Sequence, residues 1–536
     1  TETILRKTFT PLGFKISTLY GSMGSSSYED DVLRQSHIVV TTPEKIDFAL
    51  RNDHGILDDV GLVVLDEGHM IGLNEREIRY ENQIQRLLRR EDAHLRRIVC
   101  LSAILPSGDE FDDFVNWLRR DQEGDAIVSD WRPTRLRFGE VRWQPSRNRG
   151  WLEMEVENER TFVPQYIQTV PPHIGTRVKL FPNNQHELML ATTKRLLADD
   201  HSVLIYCPTK ASVNGYADRI LKANRQGFFE PQLDDEQVIR NALLIGQEWL
   251  GEDHPILGCL QLGVVLHHGS LPTPYRKEVE RLLRSGSLKV TISSPTLAQG
   301  LNLSATSILF HGLHRNGELI KPSEFKNIIG RAGRAFVDVE GLVLYPMFDK
   351  VRRRQADWAE LLNDTEQLSL ESGMLRLVIS LILRIRAALG GGNIDHDQYL
   401  EYIANMPITW ECPVVIGERE KSREEAESDW SRYLVYLDTA ILSLVGDNDI
   451  AIDELANALD SILASSLWER HSTRWEEGIQ AVFRQTLIQR ANNIWQQTTA
   501  SQRKGYYLAG VGLTTGQELD LIAEEANSLL IRVRFY

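Results

Sequence analysis

The stretch that decides the fold is Val60-Gly61-Leu62-Val63-Val64-Leu65, which is followed at once by Asp66-Glu67-Gly68-His69. A short apolar run of this kind predicts a buried strand of a parallel sheet. Ligands of such sheets bind at the carboxyl ends of the strands, where Asp66 and Glu67 stand. One carboxylate can hold Mg²⁺ there and a second can activate a water molecule, so the pair indicates phosphoryl transfer; a solvated loop is the simpler alternative.

A second segment, Asn327-Ile328-Ile329-Gly330-Arg331-Ala332-Gly333-Arg334, carries two arginines next to glycines. The glycines permit close approach to a ligand, and planar guanidinium groups suit phosphate oxygens. Surface salt bridges are the competing interpretation of the arginines. Because this segment lies far along the chain from Asp66, we expect two lobes that close on one nucleotide, one giving metal and water chemistry and the other arginine fingers.

Short apolar strands alternate with polar-faced helices in two parts of the chain, which is the pattern of an α/β fold. The predicted strands are residues 15–20, 38–41, 62–65 and 97–101 in the first part, and 202–207, 263–267, 289–293, 307–310 and 341–345 in the second. After Pro346 the strand signal fades and helical periodicity dominates. The sequence therefore predicts two parallel-sheet lobes followed by a mostly α-helical C-terminal region.

Several short motifs stand at the ends of these strands in a fixed order. They are Thr41-Thr42-Pro43-Glu44-Lys45, Asp66-Glu67-Gly68-His69, Ser102-Ala103-Ile104, Val203 to Thr209, His267-His268-Gly269, Thr296 to Leu303, and Gly330 to Arg334. In order and spacing they resemble motifs Ib, II, III and IV, a histidine–glycine element, and motifs V and VI of superfamily 2 DExH-box helicases, nearest the Ski-type branch. The resemblance covers roughly residues 12 to 345 and implies two RecA-like lobes.

The resemblance also implies ATP and Mg²⁺ as cofactors and gives individual residues a role. The implied catalytic residues are Asp66, Glu67, His69, Arg331 and Arg334. Asp66 would also be the metal ligand, and Glu67 would act on the attacking water. His69 would couple motif II to the second lobe. The implied nucleotide-binding residues are Gly300, Asn302, Asn327 and Gly330. The implied nucleic-acid contacts are Thr41, Thr42, Pro43, Thr209, His268 and Thr296, and the implied coupling residues are Ser102 and Ala103. Three of these residues have a simpler structural interpretation when the resemblance is not considered. Thr42 would then be a plain N-cap, Thr296 part of a strand-end turn, and His268 a packed core histidine.

The sequence departs from the family pattern in small and large ways. Asn327 stands where the family usually has Gln, Ser294 where it often has Thr, and Ile104 where it usually has Thr. The last change removes a hydroxyl and puts one coupling contact in doubt. The larger departure is that no Gly-x-x-x-x-Gly-Lys-Thr/Ser occurs in the 536 residues, so the backbone nest and lysine for the β- and γ-phosphates are absent from this sequence.

A sheet that lacks the strand before this phosphate loop would leave neighbouring apolar edges unpaired. We therefore expect an N-terminal portion of the protein to precede Thr1. Two alternatives remain open: a split helicase whose partner carries the loop, and a scaffold that does not bind ATP.

The predicted domain boundaries follow from these patterns. They are residues 1–135 for an incomplete first lobe, 136–180 for a connector with a β-hairpin, 181–350 for the second lobe, 351–415 for a winged-helix-like domain and 416–536 for a helical accessory domain. The winged helix is implied by the resemblance alone, since the residues themselves indicate only compact helices.

Composition sets limits on partners and location. The net charge of −15 argues against a surface coated in basic residues, although a local basic track would suffice for nucleic acid. The four cysteines lack metal-ligand spacing and fit a reducing compartment. No apolar run reaches the roughly 18 residues of a membrane span. We expect no membrane association and a cytoplasmic, nucleoid or nuclear location.

These observations predict an ATP-dependent helicase or translocase, moving 3′ to 5′ as the resemblance implies. Its expected partners are single-stranded or tailed duplex DNA or RNA, and a protein such as a nuclease. The alternative is a non-catalytic nucleic-acid-binding scaffold, or one half of a split helicase in a multi-subunit complex that could serve antiphage defence.

Overall fold

The computed structural model describes most of the chain. The described residues are 2–19, 34–68, 70–102, 108–124, 126–128, 134–156, 159–171, 180–233, 235–295, 305–333, 338–363, 371–392 and 394–533. They form two compact units. The first unit combines residues 1–126 with residues 369–536, and the second unit is residues 127–368.

The N-terminal part of the first unit contains two parallel strand pairs. Strands β1 (Ile16–Leu19) and β2 (Ile38–Thr41) form one pair, and β3 (Leu62–Asp66) and β4 (Arg97–Leu101) form the other. The helices here are α1 (Glu2–Phe9), α2 (Pro43–Asn52), α3 (Glu75–Leu88) and α4 (Asp109–Arg119). All four predicted strands are confirmed. They form two separate sheets instead of the expected single one, because no described strand pairs with both.

The β3–β4 pair has one covered face and one exposed apolar face. Its covered face, which includes Leu65, shares a core with α3 and α4. Its other face carries Leu62, Val64, Val99 and Leu101, whose exposed fractions are 55%, 51%, 41% and 50%. Val64 and Val99 are direct partners in the strand register, so the exposed side chains form one continuous surface. Contiguous apolar surface of this kind is typical of a site that another segment or chain covers.

The second unit is built on an eight-stranded sheet in the order β7-β6-β5-β14-β11-β8-β10-β9. Its strands are β5 (Arg135–Gln144), β6 (Arg149–Val156), β7 (Glu159–Gln168), β8 (Val203–Tyr206), β9 (Val264–His267), β10 (Val290–Ser293), β11 (Ser307–Phe310) and β14 (Glu340–Met347). Between the last two lies a small hairpin of β12 (His314–Arg315) and β13 (Glu318–Leu319). All five strands predicted for the second lobe are confirmed. The sheet is parallel from β5 through β14 to β9.

Seven helices of the described second unit pack around this sheet. They are α5 (Gln185–Ala198), α6 (Lys210–Arg225), α7 (Arg240–Leu250), α8 (Pro255–Gln261), α9 (Thr273–Arg284), α10 (Pro322–Ile329) and α11 (Val351–Asn363). Helix α10, which precedes the arginine segment, is anchored by Phe325. The Phe325 ring lies 5.2 Å from Phe310 of β11 and 5.5 Å from Trp358 of α11.

Residues 136–180 differ from their predicted role as a connector. The predicted hairpin is present as β5 and β6, and β7 adds a third antiparallel strand. However, β5 also pairs in parallel with β14 along its length, from Arg135 with Glu340 to Arg142 with Met347. These strands therefore extend the second lobe's own sheet. Alternating residues predict a strand but contain no information about which sheet it joins.

The remaining helices belong to the first unit and are called here the helical region (residues 371–533). They are α12 (Gly373–Ala388), α13 (His396–Ala404), α14 (Glu420–Val445), α15 (Leu455–Leu463), α16 (Leu467–Ser472), α17 (Glu477–Gln497), α18 (Ala500–Ala509) and α19 (Leu513–Val533). Short 3₁₀ helices at 10–12, 54–57, 91–95, 145–147 and 236–239 complete the described elements.

The region predicted as winged-helix-like (residues 351–415) is divided in the structure. Helix α11 belongs to the second unit, whereas α12 and α13 belong to the first. The described residues of 371–415 contain no strand, so they supply no wing. Helix α12 packs as a core helix, with Leu377, Leu381 and Ile385 fully buried.

The two parts of the first unit share their cores. Ile78 of α3 packs with the helical region, and Leu467 of α16 packs with the β3–β4 pair. Among the described helices, none has the length and hydropathy needed to cross a membrane.

Candidate functional site

The predicted motif II lies in the loop that follows β3, called here the motif II loop (residues 66–74). Asp66 is the last residue of β3, and both Asp66 and Glu67 are exposed. Glu67 has a φ of 57°, in the left-handed region that few residues other than glycine adopt. Such a conformation costs on the order of 1–3 kcal/mol and is found preferentially at functional sites. His69 lies outside the described residues.

Gly68 fixes the start of this loop against β4. Its N–H donates to the carbonyl of Leu101 at 3.0 Å, and a β-carbon built on Gly68 would overlap the Sγ of Cys100. Only glycine fits, because the loop crosses directly over the end of β4. Ser102, the first residue of the predicted motif III, follows Leu101 and is half-buried. The structure thus brings motifs II and III together, while Ala103 lies outside the described residues.

Tyr80 of α3 closes the inner side of the loop. Its hydroxyl donates to the carbonyl of Asp66 at 3.5 Å. Burial raises the pKa of Tyr80, with smaller contributions from Cys100, Asp66 and Glu67. The tyrosine is therefore a neutral donor beneath two exposed carboxylates.

The donor set at this loop fits Mg²⁺ that is held mainly by a nucleotide. No cluster of three His, Cys, Asp or Glu side chains suited to a metal occurs in the part of the chain that the structure describes. Mg²⁺ usually keeps several waters and binds through one or two carboxylates plus substrate phosphates. Asp66 could supply such a carboxylate, with Glu67 beside it, whereas this sequence has no Gly-x-x-x-x-Gly-Lys-Thr/Ser motif.

The predicted nucleic-acid residues Thr41, Thr42 and Pro43 lie where β2 becomes α2. Thr42 is the N-cap of α2, and its Oγ1 accepts from the N–H of Lys45 at 3.4 Å. Pro43 occupies the first turn, where its missing N–H has no cost. All three are half-buried. Thr42 therefore acts as the N-cap of α2. The N-terminal end of this helix is also the type of site that binds phosphate.

Thr209 lies at a corresponding strand-to-helix junction in the second unit. It is the N-cap of α6 and accepts from the N–H of Ser212 at 3.2 Å. The residue before it, Pro208, has its carbonyl bound by the Nε of Arg315 at 3.0 Å. Both predicted phosphate-contacting helix ends therefore have a capping threonine whose hydroxyl is already used locally.

Arg315 and Glu324 connect two predicted motifs, and sequence reasoning missed both. Arg315 also donates to the carboxylate of Glu324 on α10, which accepts from the hydroxyl of Tyr206 at 2.6 Å. The bridge thus runs from the end of β8 to the helix that precedes the arginine segment. This bridge depends on the fold of the β12–β13 hairpin, and no sequence pattern predicts it.

The arginine segment is held by backbone bonds. Asn327 is half-buried on α10, and Gly330 is exposed at its end. The N–H of Ala305 donates to the carbonyl of Arg331 at 3.0 Å, and the N–H of Gly333 donates to the carbonyl of Ala305 at 2.8 Å. The segment therefore lies beside Ala305, two residues beyond the end of the predicted motif V. Four further predicted site residues lie outside the described residues: Arg334, Thr296, Gly300 and Asn302.

His268 is packed more deeply than a surface contact requires. It is 4% exposed, and its Nε2 lies 2.9 Å from the Oδ1 of Asn214. Burial lowers its pKa to about 4, and Lys210 contributes in the same direction. Its neighbour His267 is also buried and bonds Glu280 at 3.1 Å. The packed-histidine alternative fits this geometry, and a nucleic-acid contact by His268 stays a prediction.

Comparison with known families agrees with this arrangement. Residues 1–114 match the DEAD/DEAH box helicase family, and residues 246–336 match the helicase conserved C-terminal domain. The first match contains the motif II loop and Thr42, and the second contains His268 and Arg331. Together with the relatives below, these matches support the similarity of the chain to the superfamily 2 helicases.

Three relatives illustrate the similarity. The Hachiman protein HamB of Bacillus cereus is 29% identical over 87% of this chain and 41% of its own length. The ATP-dependent DNA helicase Hel308 of Methanococcus vannielii is 28% identical over 63% of this chain and 41% of its own length. The human helicase POLQ-like protein is 26% identical over 62% of this chain and 28% of its own length. The chain thus spans less than half the length of these relatives.

Proposed function

We propose that the chain is the motor part of an ATP-dependent helicase that moves along one strand of DNA. The observation that carries the proposal is the exposed Asp66–Glu67 pair at the carboxyl end of β3, in a loop that Gly68 fixes on β4. Relatives named as ATP-dependent DNA helicases support DNA over RNA as the substrate. Movement from 3′ to 5′ is proposed on the family resemblance alone.

The residues of the proposed nucleotide site have distinct tasks. When bound, ATP with Mg²⁺ supplies the phosphoryl group and the divalent charge. Asp66 would hold the metal through its carboxylate, and Glu67 would orient and deprotonate the attacking water. Arg331 would neutralise charge that develops on the phosphoryl oxygens. Asn327 and Gly330 would line the nucleotide from the same side.

The proposed strand contacts use the helix ends at Thr42 and Thr209. A helix N-terminus presents free N–H groups and a positive dipole end to an anion. Because each threonine caps its own helix, its role would be to keep that end ordered while backbone N–H groups bind the strand phosphate. Such contacts are independent of base sequence and weaken with salt.

The test is the Glu67→Gln variant of the intact protein. DNA-stimulated ATP hydrolysis should be abolished while ATP binding remains largely intact, because the amide cannot accept the proton from water. Glu123→Gln, which changes an exposed carboxylate outside the motifs, is the matched control and should behave as wild type. Equal turnover of Glu67→Gln and wild type would exclude Glu67 as the base.

The second candidate is one half of a split helicase, or a scaffold without ATP chemistry. It is favoured by the missing Gly-x-x-x-x-Gly-Lys-Thr/Ser motif and by the exposed apolar face of the β3–β4 pair. A scaffold would bind DNA with an affinity and a footprint that ATP does not change. A split motor would hydrolyse ATP only with the chain that carries the phosphate loop. The antiphage setting expected from the sequence stays a prediction.

A further inference from the structure

Two glycines from distant parts of the chain meet inside the first unit. Gly373 is the first residue of α12, and a β-carbon built on it would overlap the carbonyl oxygen of Gly72. Gly72 belongs to the motif II loop, and both glycines are buried. The approach is backbone to backbone, so no flexible side chain can move aside. Any side chain at position 373 must displace either the loop or the helix.

A buried carboxylate fastens the same helix end. Glu81 of α3 accepts from the N–H of Gly373 at 2.7 Å. Burial raises the pKa of Glu81 to about 7, although hydrogen bonds from Ser372, Gly373 and Met374 act in the opposite direction. Since α3 begins directly after the motif II loop, this bond joins the helical region to the helix that follows the loop.

His471 completes the attachment from within the helical region. Its Nδ1 accepts from the N–H of Ser372 at 3.0 Å, so the ring must be unprotonated at that atom. Burial lowers the pKa of His471 to about 4, and Arg474 lowers it further while Asp113 raises it. The start of α12 is therefore fixed by α3 on one side and by α16 on the other.

The helical region also fastens the helix that Thr42 caps. Arg51 of α2 is 2% exposed and donates to Asp47 on its own helix at 2.8 Å. It also donates to the Oγ of Ser443 on α14 at 2.9 Å and to the carbonyl of Tyr507 on α18 at 2.8 Å. Both predicted sites of the first lobe thus rest on helices from the C-terminal part of the chain.

We propose that the helical region is a positioning frame for the motif II loop, and that Gly373 is the positioning residue through which it acts on Glu67. Only the expected effect on ATP hydrolysis rests on the proposed function. The positioning of the motif II loop by Gly373 does not depend on it. A β-carbon at position 373 must move to at least 3.0 Å from the oxygen of Gly72. A misplacement of about 1 Å in a catalytic group can cost roughly 10²-fold in rate.

The first experiment compares Gly373→Ala with Gly505→Ala in the intact protein. Gly505 lies within α18, and a β-carbon there meets nothing within 4 Å, so this variant is the matched control. Gly373→Ala should lower the kcat for DNA-stimulated ATP hydrolysis by about 10- to 100-fold, with the Kd for ATP within twofold of wild type. Gly505→Ala should leave both unchanged. An unchanged kcat per folded molecule for Gly373→Ala would overturn the proposal.

The second experiment does not depend on ATP hydrolysis. Amide hydrogen exchange of peptides from residues 62–74 should become faster in Gly373→Ala and stay as in wild type in Gly505→Ala. If wild type hydrolyses no ATP, the proposed function fails and the exchange data still decide the positioning role. Faster exchange throughout the first unit, with no preference for residues 62–74, would show a packing role alone and overturn the proposal.

A second pair of variants covers the case in which Gly373→Ala does not fold. Glu81→Ala removes the acceptor for the N–H of Gly373 without adding atoms, and should speed exchange in residues 62–74. Glu81→Gln keeps an acceptor oxygen and should leave this exchange close to wild type. Equal exchange in the two variants would overturn the proposal.

Discussion

Gly68 stands directly against the sulfur of Cys100, so that any β-carbon at position 68 would overlap the Sγ. This relationship joins the motif II loop to β4 and accounts for both residues. A side chain at 68 has no space, and the thiol at 100 fills the space beneath the loop. Burial raises the pKa of Cys100 to about 11, so Cys100 packs as a neutral thiol.

The overlap predicts a rescue by a second substitution. Gly68→Ala should destabilise the first unit by about 1–3 kcal/mol, the usual cost of overpacking. Cys100→Ala removes the sulfur and leaves a β-carbon 3.6 Å from the new methyl group, which is ordinary contact. The double variant should therefore be more stable than the sum of the two single losses. Thermal unfolding of the three variants measures this, and strictly additive losses would contradict it.

Glu81 predicts a pH-dependent contribution to stability. Its folded pKa of about 7 lies above the ordinary value of 4.5 because burial disfavours the charged form. Its contribution to the free energy of unfolding is thus fully present below pH 4.5 and is lost as the pH rises through 7. Compared with wild type, Glu81→Gln should therefore stabilise the first unit more at pH 8 than at pH 5, and the change in the free energy of unfolding should be up to about 3 kcal/mol.

The measurement is chemical unfolding of Glu81→Gln and wild type at both pH values. The difference between the two proteins isolates Glu81, because His471, whose lowered pKa has the opposite effect between pH 6.5 and 4, is common to both. Glu123→Gln, an exposed carboxylate in the same unit, should show no such difference. A gap between Glu81→Gln and wild type that is equal at pH 5 and pH 8 would rule out a buried titration.

The two capping threonines predict a matched set of effects on DNA binding. Thr42→Ala and Thr209→Ala each lose a cap worth about 1 kcal/mol, whereas Thr→Ser at either position keeps the hydroxyl. The alanine variants should weaken binding to all sequences alike, and the serine variants should bind as wild type. Binding titrations at several salt concentrations test this. Sequence-selective losses would point to base contacts instead.

The strands and their motifs could be predicted because the signal is local. Leu62 to Leu65 is an apolar run, Thr42 precedes Pro43 at a helix start, and these features need no knowledge of the rest of the chain. The partners of β5 could not be predicted, since its alternation fits a connector hairpin and a sheet edge equally well. The division of residues 351–415 between two units likewise depends on tertiary packing.

The sequence predicts residue types for the candidate site, but it does not predict the contacts that support those residues. Asp66, Glu67 and Arg331 belong to recognisable motifs, but Gly373 and Arg315 act through contacts between segments far apart in sequence. His268 shows a further limit of prediction from motifs, because a motif does not indicate whether its histidine is buried or exposed. The left-handed Glu67 also had no sequence signal, as the residue type does not favour that conformation.

Arg315 predicts a loss of coupling between DNA and hydrolysis. Arg315→Ala releases the carbonyl of Pro208 and leaves Glu324 with the hydroxyl of Tyr206. DNA-stimulated ATP hydrolysis in the intact protein should fall more than the rate without DNA, because the bridge joins the Thr209 loop to the helix before Arg331. Arg352→Ala, an exposed arginine of α11, is the control. Equal loss in both rates would show that the bridge supports folding alone.

The exposed face of the β3–β4 pair predicts how residues 1–536 behave when expressed alone. This sequence has no Gly-x-x-x-x-Gly-Lys-Thr/Ser, so it should hydrolyse no ATP above background. It should also be poorly soluble, because Leu62, Val64, Val99 and Leu101 form a continuous apolar surface. Val64→Lys should raise the soluble yield by interrupting that surface. Ile4→Lys, which changes an exposed apolar residue on α1 instead of on the β3–β4 pair, should not.

The same substitution should have the opposite consequence in the intact protein. If another segment or chain covers the β3–β4 face there, Val64→Lys buries a charge without a partner and should reduce folding or assembly, while Ile4→Lys should be neutral. Soluble yield of residues 1–536 and thermal unfolding of the intact protein give the two readouts. A soluble, ATP-hydrolysing product from residues 1–536 would contradict the first expectation, and a neutral Val64→Lys in the intact protein would show that the face stays in solvent.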